Sequence, residues 1–313
     1  MKGLELSREY FEAFGLPMLR EQFPEVLPFL AAGLCGSGSE CLGFDDDVST
    51  DHDFEPGFCL FLPGEDVVDR RTAFLLERAY AKLPKEFKGA KRSLMQPVGG
   101  ARKGVIRTAD FFMDRLGCPD GELDADGWLT VPEASLAEAV DGAVFFDNFG
   151  EFTAIRAKVG TYPADIRRKK LAGHLLLMAQ AGQYNYTRCL KHGEKAAAQL
   201  AVFEFAKSAS AAIFLLNEVY QPYYKWSFRA MRALPKLDIE AELLEYLITT
   251  DNEPATAEEK YDVIEGIAAD VIDELIDQGL TKANCGDLEK HAYSVNDGIE
   301  DAGIRNRHIL AAV

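Results

Sequence analysis

The pattern of apolar and polar positions divides the chain into two parts. Up to about residue 160, short apolar runs typical of strands alternate with stretches of helical spacing. Strands are predicted at 29–35, 51–62 and 104–109, and helical segments at 40–44, 66–82 and 111–116. Prolines at positions 17, 24 and 28 divide residues 7–30 into short helices, and residues 118–130 have the composition of a loop.

The pattern after residue 160 is almost entirely helical. Long helices are predicted at 163–181, 184–193 with 194–219, and 221–247. A polar, proline-containing break at 251–260 precedes an amphipathic helix at 259–278, which ends at Gly279. We therefore expect a mixed α/β domain at 1–160 and an all-α helical bundle at 161–313, with a possible sub-boundary at 251–260.

Composition and charge restrict the classes of function. The 313 residues are 48% hydrophobic and carry a net charge of −17. This length predicts about two domains, and the acidic charge argues against general nucleic-acid binding. No apolar run reaches the roughly 20 residues that cross a membrane, and the amino-terminal residues are too charged for a signal peptide.

The cysteines give a further indication of compartment. The six cysteines form no CxxC pair and no tight cluster with histidines. This arrangement argues against zinc and predicts reduced thiols in a cytoplasmic protein.

Two acidic residues offer a site for a hard cation. Asp51 and Asp53 are two positions apart in a predicted strand, so their carboxylates share one face. Such a pair suits Mg²⁺, which prefers oxygen ligands and keeps positions for water and phosphate. The preceding acids at 45–47 are expected in a loop, in solvent or near a cation.

A small-residue turn precedes these acids. Gly36 and Gly38 allow close approach of the backbone, while Ser37 and Ser39 supply hydroxyl groups. A helix that begins near Ser39 would direct its amino terminus toward a phosphate. A triphosphate held by Gly36, Ser37 and Ser39, with Mg²⁺ on the two aspartates, would form a site for transfer at phosphorus.

Each motif alone has ordinary interpretations. A GSGS turn is usually a loop, and an Asp-x-Asp pair is common on surfaces and also occurs in glycosyltransferases. The combination in this order favours phosphoryl chemistry.

The order of "CGSGS" (35–39) and "STDHDF" (49–54) resembles the nucleotidyltransferase superfamily of the DNA polymerase β type. The stretch "GSGSECLGFDDDVSTDHDF", with later stretches at 162–194 and 223–235, is similar to the bacterial family DUF4037, over roughly residues 30–240. The resemblance implies a mixed-sheet nucleotidyltransferase core with a helical partner domain. It also implies a Mg²⁺-dependent enzyme, with two metals, that moves a nucleoside monophosphate from an NTP, expected to be ATP, to a hydroxyl acceptor on a small molecule or protein.

The superfamily usually has a third carboxylate on a later strand, but here the centre of the third predicted strand, residues 105–108, contains no acid. Asp110, at the end of the third predicted strand, is the first candidate, although it also suits the N-cap of the next helix. Asp147 is the second. If the third acid is missing, the alternative function is a catalytically weak, nucleotide-binding regulatory protein.

Residues 156–195 form a basic segment with a local charge of +7. Helical spacing gives one face to Arg167, Lys170 and His174, and a second to Arg188, Lys191 or His192, and Lys195. Either these faces compensate the charge of a triphosphate at the Asp51/Asp53 cleft, or they are solvated helix faces that pair with acids of the first domain. Arg188 and Lys225 are the nucleotide-binding candidates.

The remaining candidates have strong structural alternatives. The aromatic residues around Lys225 could stack on a base or could be ordinary core. Glu194 and Glu204 could act as bases, and their ordinary interpretation is structural.

Overall fold

The computed structural model describes residues 2–47, 55–92 and 103–313. They form two compact units. The first, here the sheet unit, comprises the described residues up to 124 together with 134–160. The second, the helical unit, comprises 125–133 and 161–313. The division at residue 160 coincides with the change of apolar pattern, and 125–133 joins the second unit.

The sheet unit is a mixed α/β structure. Its helices are α1 (Gly3–Tyr10), α2 (Leu16–Gln22), α3 (Ser39–Leu42), α4 (Arg70–Ala81), α5 (Thr108–Leu116), α7 (Glu133–Val140), of which Glu133 belongs to the helical unit, and α8 (Glu151–Lys158). Its strands are β1 (Ala31–Cys35), β2 (Cys59–Leu62), β3 (Glu86–Phe87), β4 (Ala90–Lys91), β5 (Gly104–Arg107) and β6 (Gly142–Asp147). A π-helical turn at Phe11–Gly15 joins α1 to α2.

Four strands form a mixed sheet in the order β5-β2-β1-β6. Strand β1 is antiparallel to both neighbours, whereas β2 and β5 are parallel. Every residue of β1 and β2 is buried, as expected for strands covered on both faces.

Alternate residues of β2 fill the two sides of the sheet. Phe58, just before the strand, and Leu60 pack into the apolar cluster of α1 and α2. Phe61 points to the opposite face and stacks on Phe152 of α8 at 3.9 Å between ring centroids. This alternation is the period of two that the apolar pattern predicts.

The strands at β1 and β5 and the helices at α3, α4 and α5 confirm the predicted elements, with small shifts of boundary. Strand β2 begins later than predicted, at Cys59, and residues 51–54 lie outside the described residues. Pro17 does not end a helix, because it follows directly on the π-helical turn Phe11–Gly15 and lies in the first turn of α2. Strand β6 was not predicted.

The helical unit contains α6 (Ala125–Thr130), α9 (Ala164–Met178), α10 (Thr187–Lys191), α11 (Lys195–Leu216), α12 (Tyr224–Met231), α13 (Glu240–Thr249), α14 (Pro254–Asp277), α15 (Leu288–Asp297) and α16 (Ala302–Arg305). A π-helical segment, Ala179–Tyr186, joins α9 to α10. Helix α6 replaces part of the loop predicted at 118–130. The single helix predicted at 221–247 is two helices, and the break predicted at 251–260 ends at Pro254.

Helix α11 supplies much of the core of this unit. Its length and mean hydropathy of 1.4 would suit a membrane span, but 67% of its apolar window is buried within the protein. Helix α14 presents the predicted apolar stripe to the same core, with Ile264, Ile267, Val271 and Leu275 buried. The prediction of an amphipathic helix here is confirmed.

Candidate functional site

The turn after β1 has a conformation that requires glycine. Gly36 and Gly38 have φ angles of +110° and +115°, which residues with a side chain rarely adopt. Ser37 and Ser39 are half-buried and remain accessible. Helix α3 begins at Ser39 as predicted, but it has only four residues. Its dipole is therefore small, and an anion at this turn needs side-chain charges.

Strand pairing brings several segments to the edge of the sheet where this turn lies. Gly33 of β1 pairs with Cys59, the first residue of β2, and Cys59 pairs with Gly104, the first residue of β5. Cys35 pairs with Gly142, the first residue of β6. The residues just before β2, β5 and β6 therefore lie at the same edge as the turn.

Lys103 connects the turn with the segment that leads into β2. Its ammonium group lies 3.2 Å from the Glu40 carboxylate of α3 and donates a hydrogen bond of 2.8 Å to the backbone carbonyl of Glu55. The side chains of Lys103 and Glu40 are only 8% and 11% exposed. Glu55 follows Asp53 by two positions. Asp51 and Asp53 themselves lie outside the described residues.

Arg115 of α5 places a positive charge against the turn. A Cβ atom added to Gly36 would lie 2.7 Å from Nη2 of Arg115. The guanidinium group stacks over Phe111, 3.8 Å from the ring centroid, and Nη1 donates to the Phe111 carbonyl. Its Nε is buried without a hydrogen bond and lies 3.9 Å from Glu138. The sequence-based prediction did not include this arginine.

Asp141 is a carboxyl group at the same edge, and it too was not predicted. It precedes Gly142 and follows the end of α7, where Arg156 donates to the carbonyls of Val140 and Asp141. Burial raises the pKa of Asp141 to about 7, although Arg156 opposes this rise and Glu138 adds to it. A carboxyl that titrates near neutrality can exchange protons at physiological pH. In the sequence, the Asp-Gly dipeptide directly before an apolar run is the feature that could have indicated this carboxyl group at the start of a strand.

Asp110 lies away from the turn. It is exposed, and it is the third residue of α5. The N-cap of this helix is Arg107, so the alternative prediction that Asp110 is the N-cap is wrong as well. Arg107 pairs with Leu62, at the opposite end of β2 from the turn. The structure therefore does not bring Asp110 together with Gly36, Ser37 and Ser39.

Asp147 is used in a helix cap. It is the last residue of β6 and pairs with Ala31, the first residue of β1. Its carboxylate accepts hydrogen bonds from the backbone N–H groups of Gly150 and Thr153, at 2.7 and 2.8 Å. It therefore fixes the start of α8 at the edge opposite the turn.

Asp45, the first of the three acids at 45–47, has a structural role. Asp45 is buried and accepts a hydrogen bond of 2.7 Å from the backbone N–H of Gly3, at the start of α1. The ammonium of Lys2 lies 3.8 Å from its other oxygen. In the part of the chain that the structure describes, no three His, Cys, Asp or Glu side chains are placed to hold a metal ion.

All six cysteines are free thiols. Cys35 and Cys59 are buried beside the turn, and burial raises the pKa of both, that of Cys35 to about 12. They remain protonated at neutral pH and do not act as nucleophiles there.

Much of the basic segment is bonded inside the helical unit. Arg167 donates to the carbonyl of Leu215 at the end of α11 and pairs with Glu218. Lys169 is fully buried, and its ammonium donates to the side chain of Asn296 and to the carbonyls of Arg305 and Arg307. On the face shared by Arg167, Lys170 and His174, Lys170 is buried and pairs with Glu133 at 2.9 Å, so this face is largely enclosed within the helical unit.

The second predicted face is interrupted. Helix α10 ends at Lys191, and Gly193 has a φ of +75° before α11 begins. Arg188 and Lys195 are thus on different helices, and Lys195 pairs with Glu253 at 2.7 Å. Arg188 is exposed and lies over the ring of Tyr184, 4.8 Å from its centroid.

Lys225 lies at the start of α12. It is exposed, and its ammonium lies 4.9 Å from the centroid of the Trp226 ring. The neighbouring Tyr223 and Tyr224 are exposed and in contact with each other, whereas Tyr220 is buried against Tyr162. The aromatic segment thus divides into a core part and a surface part.

No curated protein matches the chain. Residues 128–227, about a third of the chain, match a family described as "Domain of unknown function (DUF4037)". The matched segment includes Asp141, Arg188 and Lys225, but not the turn at 35–39 or the Asp-x-Asp pair at 51–53.

Proposed function

We propose that this chain is a Mg²⁺-dependent nucleotidyltransferase that moves a nucleoside monophosphate from an NTP, expected to be ATP, to a hydroxyl acceptor. One observation carries the proposal. Lys103 bonds both Glu40, in the helix that follows the GSGS turn, and Glu55, two residues after Asp53. Glu55 and the helix after the turn therefore lie at one edge of a mixed sheet, which supports a shared site for the turn and the Asp51/Asp53 pair.

The phosphates would be held by Gly36, Ser37 and Ser39, with Arg115 as the principal positive charge. Gly36 has no side chain between its backbone and the guanidinium of Arg115. Arginine suits this role, because its planar group can donate two parallel hydrogen bonds to phosphate oxygens. Arg115 is held in place by Phe111 before any ligand binds.

Asp51 and Asp53 would hold the metal. The residues that the structure describes offer no cation site of their own, and a buried aspartate such as Asp45 already has partners. Mg²⁺ would supply charge compensation and orientation of the phosphates when bound. Whether one or two metal ions bind would depend on how many ligands the protein adds to Asp51 and Asp53.

Asp141 is a better candidate than Asp110 for the carboxyl group that accepts the acceptor's proton. In the transfer, the hydroxyl oxygen bonds to the α-phosphorus, the bond from that phosphorus to the β-phosphate oxygen breaks, and pyrophosphate leaves. The hydroxyl proton passes to Asp141. A base works best when its pKa is near the working pH, and that of Asp141 is about 7.

A second function is a catalytically weak, nucleotide-binding protein that regulates a partner. It is favoured by the sequence of β5, Gly104–Arg107, which contains no acid. ATP labelled at the α-phosphate, incubated with the full chain, Mg²⁺ and a pool of cell metabolites, separates the two functions. Transfer gives a labelled product and pyrophosphate in equal amounts. A regulatory protein binds ATP but forms neither labelled product nor pyrophosphate. A chain that neither binds ATP nor transfers the label would contradict both functions.

A further inference from the structure

The helical unit contains an open cavity where the end of α10 and the start of α11 meet the start of α14. We call it the α10/α14 cavity; its lining includes Leu190, Lys191, Ala257, Glu258 and Tyr261. Its volume is about 460 Å³, and ligand pockets usually have roughly 300–1,000 Å³. All its lining residues belong to the helical unit, so one compact unit forms the whole cavity.

The floor of this cavity is buried, and its polar groups already have partners. Ala257 and Asn252, which both line it, are 7% exposed. The side-chain oxygen of Asn252 accepts a hydrogen bond of 3.0 Å from the hydroxyl of Tyr186. Its amide nitrogen donates to the Gln199 side chain at 2.8 Å and to the carbonyl of Lys195 at 3.3 Å. The floor therefore offers a ligand apolar contact rather than new hydrogen bonds.

The walls are mainly apolar, and the mouth is open to solvent. Leu190 and Tyr261 are half-buried, so their apolar groups remain accessible from the cavity. Lys191 and Glu258 are exposed, and they place charges at the mouth. An apolar group that enters past these charges leaves water and is stabilised by the walls.

Three charged residues of the described chain line the cavity, and one of them has an ion-pair partner. The ammonium of Lys195 lies 2.7 Å from the carboxylate of Glu253. Among the described residues, Lys191 and Glu258 make no hydrogen bond or ion pair, and they do not pair with each other. The cavity thus presents one positive and one negative charge without partners.

These two charges define the class of ligand. An anion would be attracted by Lys191 but repelled by Glu258, and a cation would meet the reverse. A molecule with an ammonium and a carboxylate on one carbon can form a charge-assisted hydrogen bond with each residue. If that carbon also carries an apolar side chain, the side chain can occupy the apolar part of the cavity.

We infer that the α10/α14 cavity binds a free α-amino acid with a large apolar side chain. Lys191 binds its carboxylate, and Glu258 binds its ammonium group. The inference does not rest on the proposed nucleotidyltransferase activity, because neither residue belongs to the site at the glycine turn.

The test measures the binding of L-leucine, L-phenylalanine and L-tryptophan to the full chain without nucleotide. Saturation-transfer NMR detects binding, and titration calorimetry gives the Kd. Each amino acid is compared with its analogue without the ammonium group (4-methylpentanoate, 3-phenylpropionate or indole-3-propionate) and with its analogue without the carboxylate (3-methylbutylamine, 2-phenylethylamine or tryptamine). L-serine keeps both charges but lacks the apolar side chain.

At least one of the three amino acids should bind, about tenfold more tightly than either analogue and than L-serine, because each comparison compound lacks one interaction. If none of the three binds, or if an analogue with a single charge binds as tightly as its amino acid, the inference is wrong. Failure of the labelled-ATP experiment would leave this result unaffected.

Lys191→Met and Glu258→Gln test the two charges separately. Lys191→Met should raise the Kd of the bound amino acid about tenfold, the value of roughly one charged hydrogen bond, and remove its advantage over the amine analogue. Glu258→Gln should have a similar effect on the Kd and remove the advantage over the analogue without the ammonium group. Both residues are exposed, so the urea midpoint of the unliganded chain should not change.

Lys290→Met and Glu242→Gln are the matched controls. Both residues are exposed in the same unit, on α15 and α13, and neither lines the cavity. These two variants should leave the Kd unchanged. If Lys191→Met and Glu258→Gln also bind the amino acid as the unaltered chain does, the amino acid binds elsewhere and the inference is overturned.

Discussion

The ammonium group of Lys103 lies 3.2 Å from the carboxylate of Glu40, and neither side chain has significant contact with solvent. This pair joins the residue before β5 to the helix after β1. The same ammonium donates to the carbonyl of Glu55. One lysine therefore fixes three chain segments at the edge of the sheet where we place the nucleotide.

Lys103→Met should lower the free energy of unfolding by about 3–5 kcal/mol, because it leaves the buried Glu40 carboxylate without its cation. The double variant Lys103→Met/Glu40→Gln should lose less, since it removes both charges. Urea unfolding measures both values. Lys91→Met removes the exposed pair with Glu86, and we expect a change of at most about 1 kcal/mol. Equal losses of unfolding free energy in Lys103→Met and Lys91→Met would show that the buried pair stabilises the fold no more than the exposed pair does.

Gly36→Ala and Gly43→Ala form a matched pair for the role of the turn. Both glycines have positive φ, of +110° and +69°, so both variants strain the backbone by roughly 1–2 kcal/mol. Only at Gly36 does the added Cβ meet Arg115, since nothing lies within 4 Å at Gly43. Gly36→Ala should therefore raise the Kd of ATP about tenfold, or roughly 1.4 kcal/mol. Gly43→Ala should leave it unchanged, and an unchanged Kd in both would remove the turn from the site.

The sequence was sufficient for elements whose signals are local. Strand β1, the glycine turn and helix α14 each have their apolar pattern and their ends within a short window. Strand β6 differs because its partner among the described strands is β1, more than a hundred residues earlier. Its short apolar run could equally have belonged to a loop or a helix.

The bonding partners of the basic residues could not be predicted from their helical spacing. Lys169 donates to Asn296, 127 positions away along the chain, and a helical repeat shows only which residues share a face. The same limit applies at the candidate site. The prediction included Gly36, Ser37 and Ser39, but Arg115 and Asp141 reach that edge through strand pairing and helix packing.

Asp141→Asn should remove a pH dependence of stability. In the folded chain the pKa of Asp141 is about 7, above its ordinary value of 3.8. Between these two pH values the folded state binds more protons than the unfolded state, so the free energy of unfolding falls as the pH rises. The difference between the unaltered chain and Asp141→Asn should therefore decline from pH 4 to pH 7, by up to about 4 kcal/mol, and then level off. Urea unfolding at several pH values measures this, and a constant difference would contradict the raised pKa.

Arg188→Gln and Lys225→Met test the two nucleotide-binding candidates of the helical unit. Each is exposed and lies beside an aromatic ring. If they contact phosphate, each variant should weaken ATP binding by about 1.5–3 kcal/mol, the range for a charged hydrogen bond. Lys195→Met is the control, because Lys195 already pairs with Glu253. Equal ATP affinities across all three variants, by titration calorimetry, would assign Arg188 and Lys225 to the solvated surface.

Asp51→Asn and Asp53→Asn should each abolish the Mg²⁺-dependent release of pyrophosphate from ATP, because each removes a carboxylate that the proposed metal site requires. The melting temperature should stay within a few degrees of the unaltered chain, since asparagine has nearly the same size and shape as aspartate. Asp110→Asn is the matched control: it removes an exposed carboxylate at the opposite end of the sheet, in the first turn of α5. It should retain most of the turnover. Full turnover in Asp51→Asn or Asp53→Asn would contradict the metal assignment, and loss of turnover in Asp110→Asn with an unchanged melting temperature would return that residue to the site in place of Asp141.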